Sequence, residues 1–297
     1  MRSLGGFYTV ISEDGTKTEC RGRGIFRRDA TTLLVGDRCR FEPTEPGCGS
    51  ITAIAPRKNT LQRPPVANLD RLAMVVSLAD PAPNALVIDQ LTAIAARRDI
   101  PVVMIFTKPD LADPEPWVDI YRRAGYPTAV VNNLTGEGLT EAAALLKGGI
   151  TAFCGNSGAG KSSLMNGLYP DLNLATGEIS KKLGRGRHTT RHVELFPDGQ
   201  GGWLCDTPGF SALEFAKAEP MPAAELAECF PEMEKYKGHC RYTGCSHRTE
   251  QGCAVLEAVR EGLIPESRHR SYAAIYNELK ELKEWELAKM GRSQGGT

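Results

Sequence analysis

Gly155-Asn156-Ser157-Gly158-Ala159-Gly160-Lys161-Ser162 decides the reading of this chain, because it fits the pattern G-x-x-x-x-G-K-[ST] between a strand-like and a helix-like stretch. Residues 150–154 upstream are apolar and short enough for a buried strand. In such a loop the glycines let backbone N–H groups turn inward on phosphate oxygens, and Lys161 adds a cation. The Ser162 hydroxyl is the expected Mg²⁺ ligand, and Ser163 follows it into the helix.

Working outward, apolar strand candidates at 72–78, 102–106 and 129–131 alternate with helix candidates at 88–97 and 117–124. That alternation predicts a parallel α/β sheet. Downstream, the strand candidate 203–206 runs into Asp206-Thr207-Pro208-Gly209. There an acidic side chain is placed to reach the Mg²⁺ shell and a glycine N–H to meet a γ-phosphate. Between the two motifs lies Gly184-Arg185-Gly186-Arg187-His188-Thr189-Thr190-Arg191. Thr190, or Thr189 beside it, is the hydroxyl expected to complete Mg²⁺ coordination in a switch segment.

Thr107-Lys108-Pro109-Asp110 follows the strand 102–106. A carboxylate at Asp110 accepts from guanine N1–H and the 2-amino group, whereas adenine presents an acceptor at N1 and leaves it unpaired. Lys108 is expected to lay its stem along the base, and Asn133-Leu134-Thr135-Gly136-Glu137-Gly138 to close over it with backbone N–H groups. The candidate GTP-binding set is therefore Thr107, Lys108, Pro109 and Asp110 with the loop from Gly155 to Ser163.

The base-reading motif precedes the phosphate loop, whereas ordinary GTPases place it after D-x-x-G. This permuted order, with Gly186-Arg187-His188-Thr189-Thr190 and Asp206-Thr207-Pro208-Gly209-Phe210, resembles the bacterial ribosome small-subunit-dependent GTPase family over nearly the whole chain. The resemblance implies an α/β, circularly permuted P-loop GTPase domain with an N-terminal OB-fold β-barrel and a C-terminal helical zinc-binding domain. It also implies docking on the small (30S) ribosomal subunit and its rRNA late in maturation, with hydrolysis of GTP to GDP timing release. Thr107 stands where that family usually has an asparagine whose amide braces the base site against the phosphate loop. Phe210 stands where many GTPases carry a water-orienting glutamine, so slow intrinsic hydrolysis is expected and no catalytic residue is assigned.

Domains are expected at 1–66, 67–215 and 216–297. The first holds short β-like runs at 7–11 and 31–35 between Gly, Asp and Pro turns, and 57–65 reads as a polar linker. In the last, Cys240-x₄-Cys245-x-His247-x₅-Cys253 offers three thiolates and one imidazole, a closed tetrahedral set for one structural Zn²⁺. Residues 271–289 then repeat Ile275, Leu279 and Leu282 at helical spacing. Because the chain leaves the GTPase half just after 206–209, nucleotide state is expected to reorient the zinc domain.

With 297 residues and 41% hydrophobic content the chain is long enough for several packed domains. No apolar run approaches the ~20 residues of a membrane span. Nine cysteines, an odd number without an export signal, favour reduced thiols or a metal over disulfides. A cytoplasmic monomer without a membrane partner is expected. Charge balances overall, but residues 1–66 carry 11 Lys/Arg against 7 Asp/Glu and residues 178–192 carry 5 against 1. Those segments are the ones suited to a polyanion. A nucleotide-gated RNA-binding module with incidental hydrolysis is the alternative reading; a small-molecule kinase is disfavoured by the two GTPase-like motifs flanking the loop.

Overall fold

The computed structural model describes residues 3–4, 6–24, 26, 31–62, 65–170, 194–199, 201–206 and 221–281. The segment 184–191 with Thr189 and Thr190, the stretch 207–210, and 282–289 at the end of the expected last helix lie outside the described residues.

Five short strands open the chain: β1 (Ser3–Leu4), β2 (Phe7–Ile11), β3 (Lys17–Gly22), β4 (Cys39–Glu45) and β5 (Cys48–Ile54). They form an OB-like mixed sheet in the order β1-β2-β3-β5-β4, parallel only between β3 and β5. Alternation along β3 and β5 sends Cys20 and Ile51 inward, where Val10 and Leu33 complete a small core.

The run expected as a strand at 31–35 pairs only through a single bridge from Val35 to Val66. A side chain has taken the ladder's donor: the Leu34 N–H donates to Asp37 Oδ2 at 2.7 Å, and Arg57 Nε holds the same carboxylate at 2.7 Å. The expected linker at 57–65 is also structured. Within it β6 (Thr60–Gln62) pairs antiparallel with β7 (Pro65–Ala67), and Leu61 is fully buried. Asn59, buried beside it, exchanges hydrogen bonds of 2.8 Å in both directions with the Leu69 backbone.

The large sheet comprises β8 (Arg71–Ser77), β9 (Val102–Thr107), β10 (Thr128–Val131), β11 (Gly149–Cys154), β12 (Glu194–Pro197) and β13 (Gly202–Asp206). Its order is β10-β9-β8-β11-β13-β12, parallel except for the edge strand β12. β9 is buried at every position, as a parallel strand covered on both faces must be. Helix α1 (Ala85–Arg97), begun by Asn84 accepting from the Val87 N–H, packs with Met74 and Val76 on one face. On the other face α3 (Leu139–Leu146) and α4 (Lys161–Leu168) pack with Val75 and Phe153, while α2 (Glu115–Arg123) places Val118 and Tyr121 in the first core.

From β8 the chain steps outward through β9 to β10, then returns to β11 on the other side of β8. Strand order reverses there, and open α/β sheets bind ligands in the crevice at such a point. A shallow recess lies at those strand ends, lined by Ser77, Asn84, Ile88, Gly155 and Asn156 among others.

The C-terminal segment holds 3₁₀ turns at Ala223–Cys229 and Pro231–Met233, then α5 (Ala254–Arg260) and α6 (Glu266–Glu281). Phe230, Met233, Val255, Tyr272 and Ile275 share one core with Ile88, Leu91 and Ala95 of α1. No helix among the described residues is long and apolar enough to cross a membrane.

Candidate functional site

The phosphate loop leaves β11 at a residue where only glycine fits. Gly155 has φ +147°, and a Cβ on it would lie 2.2 Å from the Val75 carbonyl oxygen of β8. At the other end Gly160, φ +81°, starts α4 in a left-handed conformation. The first turn of α4 carries Lys161, Ser162 and Ser163 and no acidic side chain, so its free N–H groups and positive end face an anion without competition. Lys161 Nζ donates to Gly155 O and Asn156 O at 2.7 Å each, arching over the loop. Burial lowers the pKa of this ammonium, the direction expected when its water is taken away.

The candidate base-reading motif meets this loop directly. Thr107, fully buried at the end of β9, donates from Oγ1 to Ala159 O at 2.8 Å. The structure thus keeps a brace between the two motifs, made by a hydroxyl. Lys108, at φ +62°, points Nζ at Asp80 O, and Pro109 leads to an exposed Asp110. After β10, Asn132 Oδ1 accepts from Leu134 N (2.9 Å) and Thr135 N (3.3 Å), which turns the chain back. That turn aims Asn133 Nδ2 at Gly160 O, 3.2 Å away. Two segments far apart in sequence therefore converge on Ala159 and Gly160 of the loop. Asp206 ends β13, which runs beside β11, while Thr190 lies outside the described residues. Sequence reasoning gave Asn133 a backbone role and missed its side chain, for which the Asn-Asn doublet was the only signal.

The second centre is the Cys₃His group. Ligand atoms of Cys240, Cys245, His247 and Cys253 all lie within 4.8 Å of one another. Cys240 Sγ stands 3.8 Å from Cys253 Sγ and 3.5 Å from His247 Nδ1, and that nitrogen is 3.4 Å from Cys253 Sγ. Tetrahedral Zn²⁺ with its usual bond lengths needs sulfur-sulfur edges of about 3.8 Å and sulfur-nitrogen edges of about 3.6 Å. The cluster fits a zinc site. Burial pushes the Cys245 thiol up to about 12, so a cation is what would hold it as thiolate.

Around this centre the knuckle is held by residues the spacing did not reveal. Glu250 accepts through Oε1 from Ser246 N at 2.9 Å and through Oε2 from Arg248 N at 2.9 Å and Thr249 N at 3.0 Å. Burial would raise its carboxyl, but the Ser246 hydroxyl and the backbone N–H groups of Thr249, Glu250 and Ser246 together hold it well below the usual range. His269 Nε2 lies 2.8 Å from His247 O, and the Tyr272 hydroxyl donates to Ser246 O at 2.9 Å, tying the knuckle to α6.

The RsgA GTPase family profile matches residues 54–216, and the profile of the RsgA N-terminal domain matches residues 1–51. The chain belongs to the RsgA family. A protein named small ribosomal subunit biogenesis GTPase RsgA from Moorella thermoacetica is 44% identical over 281 residues, spanning 94% of this chain and 96% of the relative. A Geobacillus kaustophilus protein of the same name is 44% identical, spanning 95% and 97%. Among solved structures, YjeQ from Thermotoga maritima superposes with a TM-score of 0.79 at 33% identity, covering 94% of this chain and 96% of that one. YloQ, described as a circularly permuted GTPase, gives 0.77 at 30% identity over 95% and 93%. Membership in RsgA agrees with the permuted motif order read from the sequence and with the OB-like sheet ahead of the GTPase fold.

Proposed function

We propose that this protein hydrolyses GTP to GDP and phosphate as a maturation factor of the small ribosomal subunit, binding rRNA and coupling hydrolysis to release. The observation that carries this reading is the Thr107 to Ala159 hydrogen bond of 2.8 Å, which joins a base-reading strand end to a phosphate loop in one crevice.

In this reading the nucleotide's phosphates lie on the loop Gly155, Asn156, Ser157, Gly158, Ala159, Gly160, with Lys161, Ser162 and Ser163 at the start of α4. Guanine is read by Asp110 at the end of the Thr107-Lys108-Pro109-Asp110 segment. Ser162, Asp206 and Thr190 are the proposed Mg²⁺ ligands, and the ion would supply charge neutralisation to the phosphates. The arginine-rich N-terminal sheet, where exposed Arg21 stacks on Phe7 at 4.1 Å, is the proposed rRNA contact. Cys240, Cys245, His247 and Cys253 hold one structural Zn²⁺, and the protein works as a cytoplasmic monomer.

Single-turnover GTP hydrolysis, measured with and without purified small subunits, tests the proposal. Stimulation by the subunit supports it. GTP-dependent subunit binding with no hydrolysis in either condition would replace it by the nucleotide-gated RNA-binding module.

A further inference from the structure

Two side chains from neighbouring strand ends seize two consecutive carbonyls of the phosphate loop. Thr107 Oγ1 donates to Ala159 O at 2.8 Å, and Asn133 Nδ2 donates to Gly160 O at 3.2 Å. A trans peptide points its C=O and its N–H to opposite sides. Holding Ala159 O on the base side therefore aims the Gly160 N–H the other way, and holding Gly160 O does the same for the Lys161 N–H. These are donors of the phosphate-binding turn.

The contact is built for this pair. A Cβ on Gly160 would come within 2.7 Å of Asn133 Nδ2, so the amide rests where only a glycine leaves room. The amide cannot be turned over, since that would set Oδ1 against Gly160 O. In the orientation present, Asn133 Oδ1 is buried with no hydrogen-bond partner among the described residues. Such a group is costly unless its position is needed. Asn132 sets that position by accepting from Leu134 N and Thr135 N.

We propose that Asn133 is a nucleotide-positioning residue that shares with Thr107 the bracing of the phosphate loop, the amide having moved from the end of β9 to the turn after β10. The inference rests on the GTP-binding reading above and adds to it a residue whose effect is exerted through the loop on the phosphates.

The test measures affinity for GDP and for guanosine, by competition with a fluorescent GDP, in the full-length protein and its Asn133→Ala, Thr107→Asn and doubly substituted forms. Asn133→Ala is expected to weaken GDP at least tenfold while guanosine changes less than twofold. Thr107→Asn, which restores a carboxamide on β9, is expected to recover most of the loss in the double variant. The melting temperature of each form without nucleotide shows that the fold is kept. GDP affinity within twofold of wild type for Asn133→Ala, equal losses for GDP and guanosine, or no recovery by Thr107→Asn overturns the inference. Failure of the wild-type chain to bind GDP would instead defeat the GTP-binding reading itself.

Discussion

Arg268 of α6 and Asp89 of α1 form a completely buried ion pair, Nη1 to Oδ1 2.6 Å, across 179 residues of sequence. Glu232 holds the other edge of the guanidinium at 2.6 and 3.2 Å, and Phe230 lies under its face at 4.5 Å. One cation thus fastens the C-terminal segment to the helix that leaves the switch-point crevice.

Arg268→Met should destabilise the protein by about 3–5 kcal/mol, because it strands two carboxylates where water cannot reach. Replacing Asp89 and Glu232 by apolar residues as well should recover more than half of that loss. Denaturant titrations of the three forms measure it; a loss below about 1 kcal/mol for Arg268→Met alone would show that the buried charges relax.

Metal analysis of untagged protein should return one zinc per chain, and chelation should loosen the C-terminal segment before the large sheet. The reason is that two of the knuckle's ties to α6 run through His247 O and Ser246 O, beside the ligand cluster, while Arg248 adds a hydrogen bond to Asn277 and a stack on Tyr276. Hydrogen exchange over residues 239–281 reads the effect. Full protection after complete metal removal would contradict it.

Glu250 predicts an acid sensitivity of defined sign. Its folded carboxyl is depressed below the ordinary value of 4.5, so its contribution is fully present above that pH and is lost as pH falls towards the folded value. Glu250→Gln should cost about 2 kcal/mol at pH 7, typical of hydrogen bonds to a charged group. The gap to wild type should narrow below pH 4.5. A gap that is constant from pH 7 to pH 3 would mean that the charge is not what holds the turn.

What could be read in the sequence was whatever depends on local pattern. The continuous apolar runs of β8 and β9, the glycines of the phosphate loop and the spacing of Cys240, Cys245, His247 and Cys253 each specify their geometry within a few residues. What could not be read depends on partners distant in sequence. Residues 31–34 have strand composition, yet Asp37 captures the Leu34 N–H. Residues 57–65 look polar, yet Asn59 and Leu61 are buried by alternation in a hairpin. Nothing local to Arg268 announces its partners Asp89 and Glu232. The C-terminal segment also shares a core with α1, so the expected reorientation of that segment would involve α1 as well.

Base selectivity provides the most direct test of the site. Asp110 stands exposed beyond Thr107, and Thr107 is fixed through Ala159 O to the proposed phosphate loop, so in the proposed site base and phosphate contacts would share one frame. A carboxylate there accepts from two guanine donors, N1–H and the 2-amino group. In Asp110→Asn the amide Nδ2 would face the 2-amino group donor to donor, and guanine affinity should fall on the order of 10³-fold. Xanthine carries an oxygen at C2 that accepts from that amide while its N1–H still donates to Oδ1, so XDP should bind the variant better than GDP. Competition with GDP, XDP and ADP against both proteins reads the exchange. Wild-type affinity equal for GDP and ADP, or an Asp110→Asn protein that keeps its preference for GDP over XDP, would remove Asp110 from base recognition while leaving the phosphate loop's role intact.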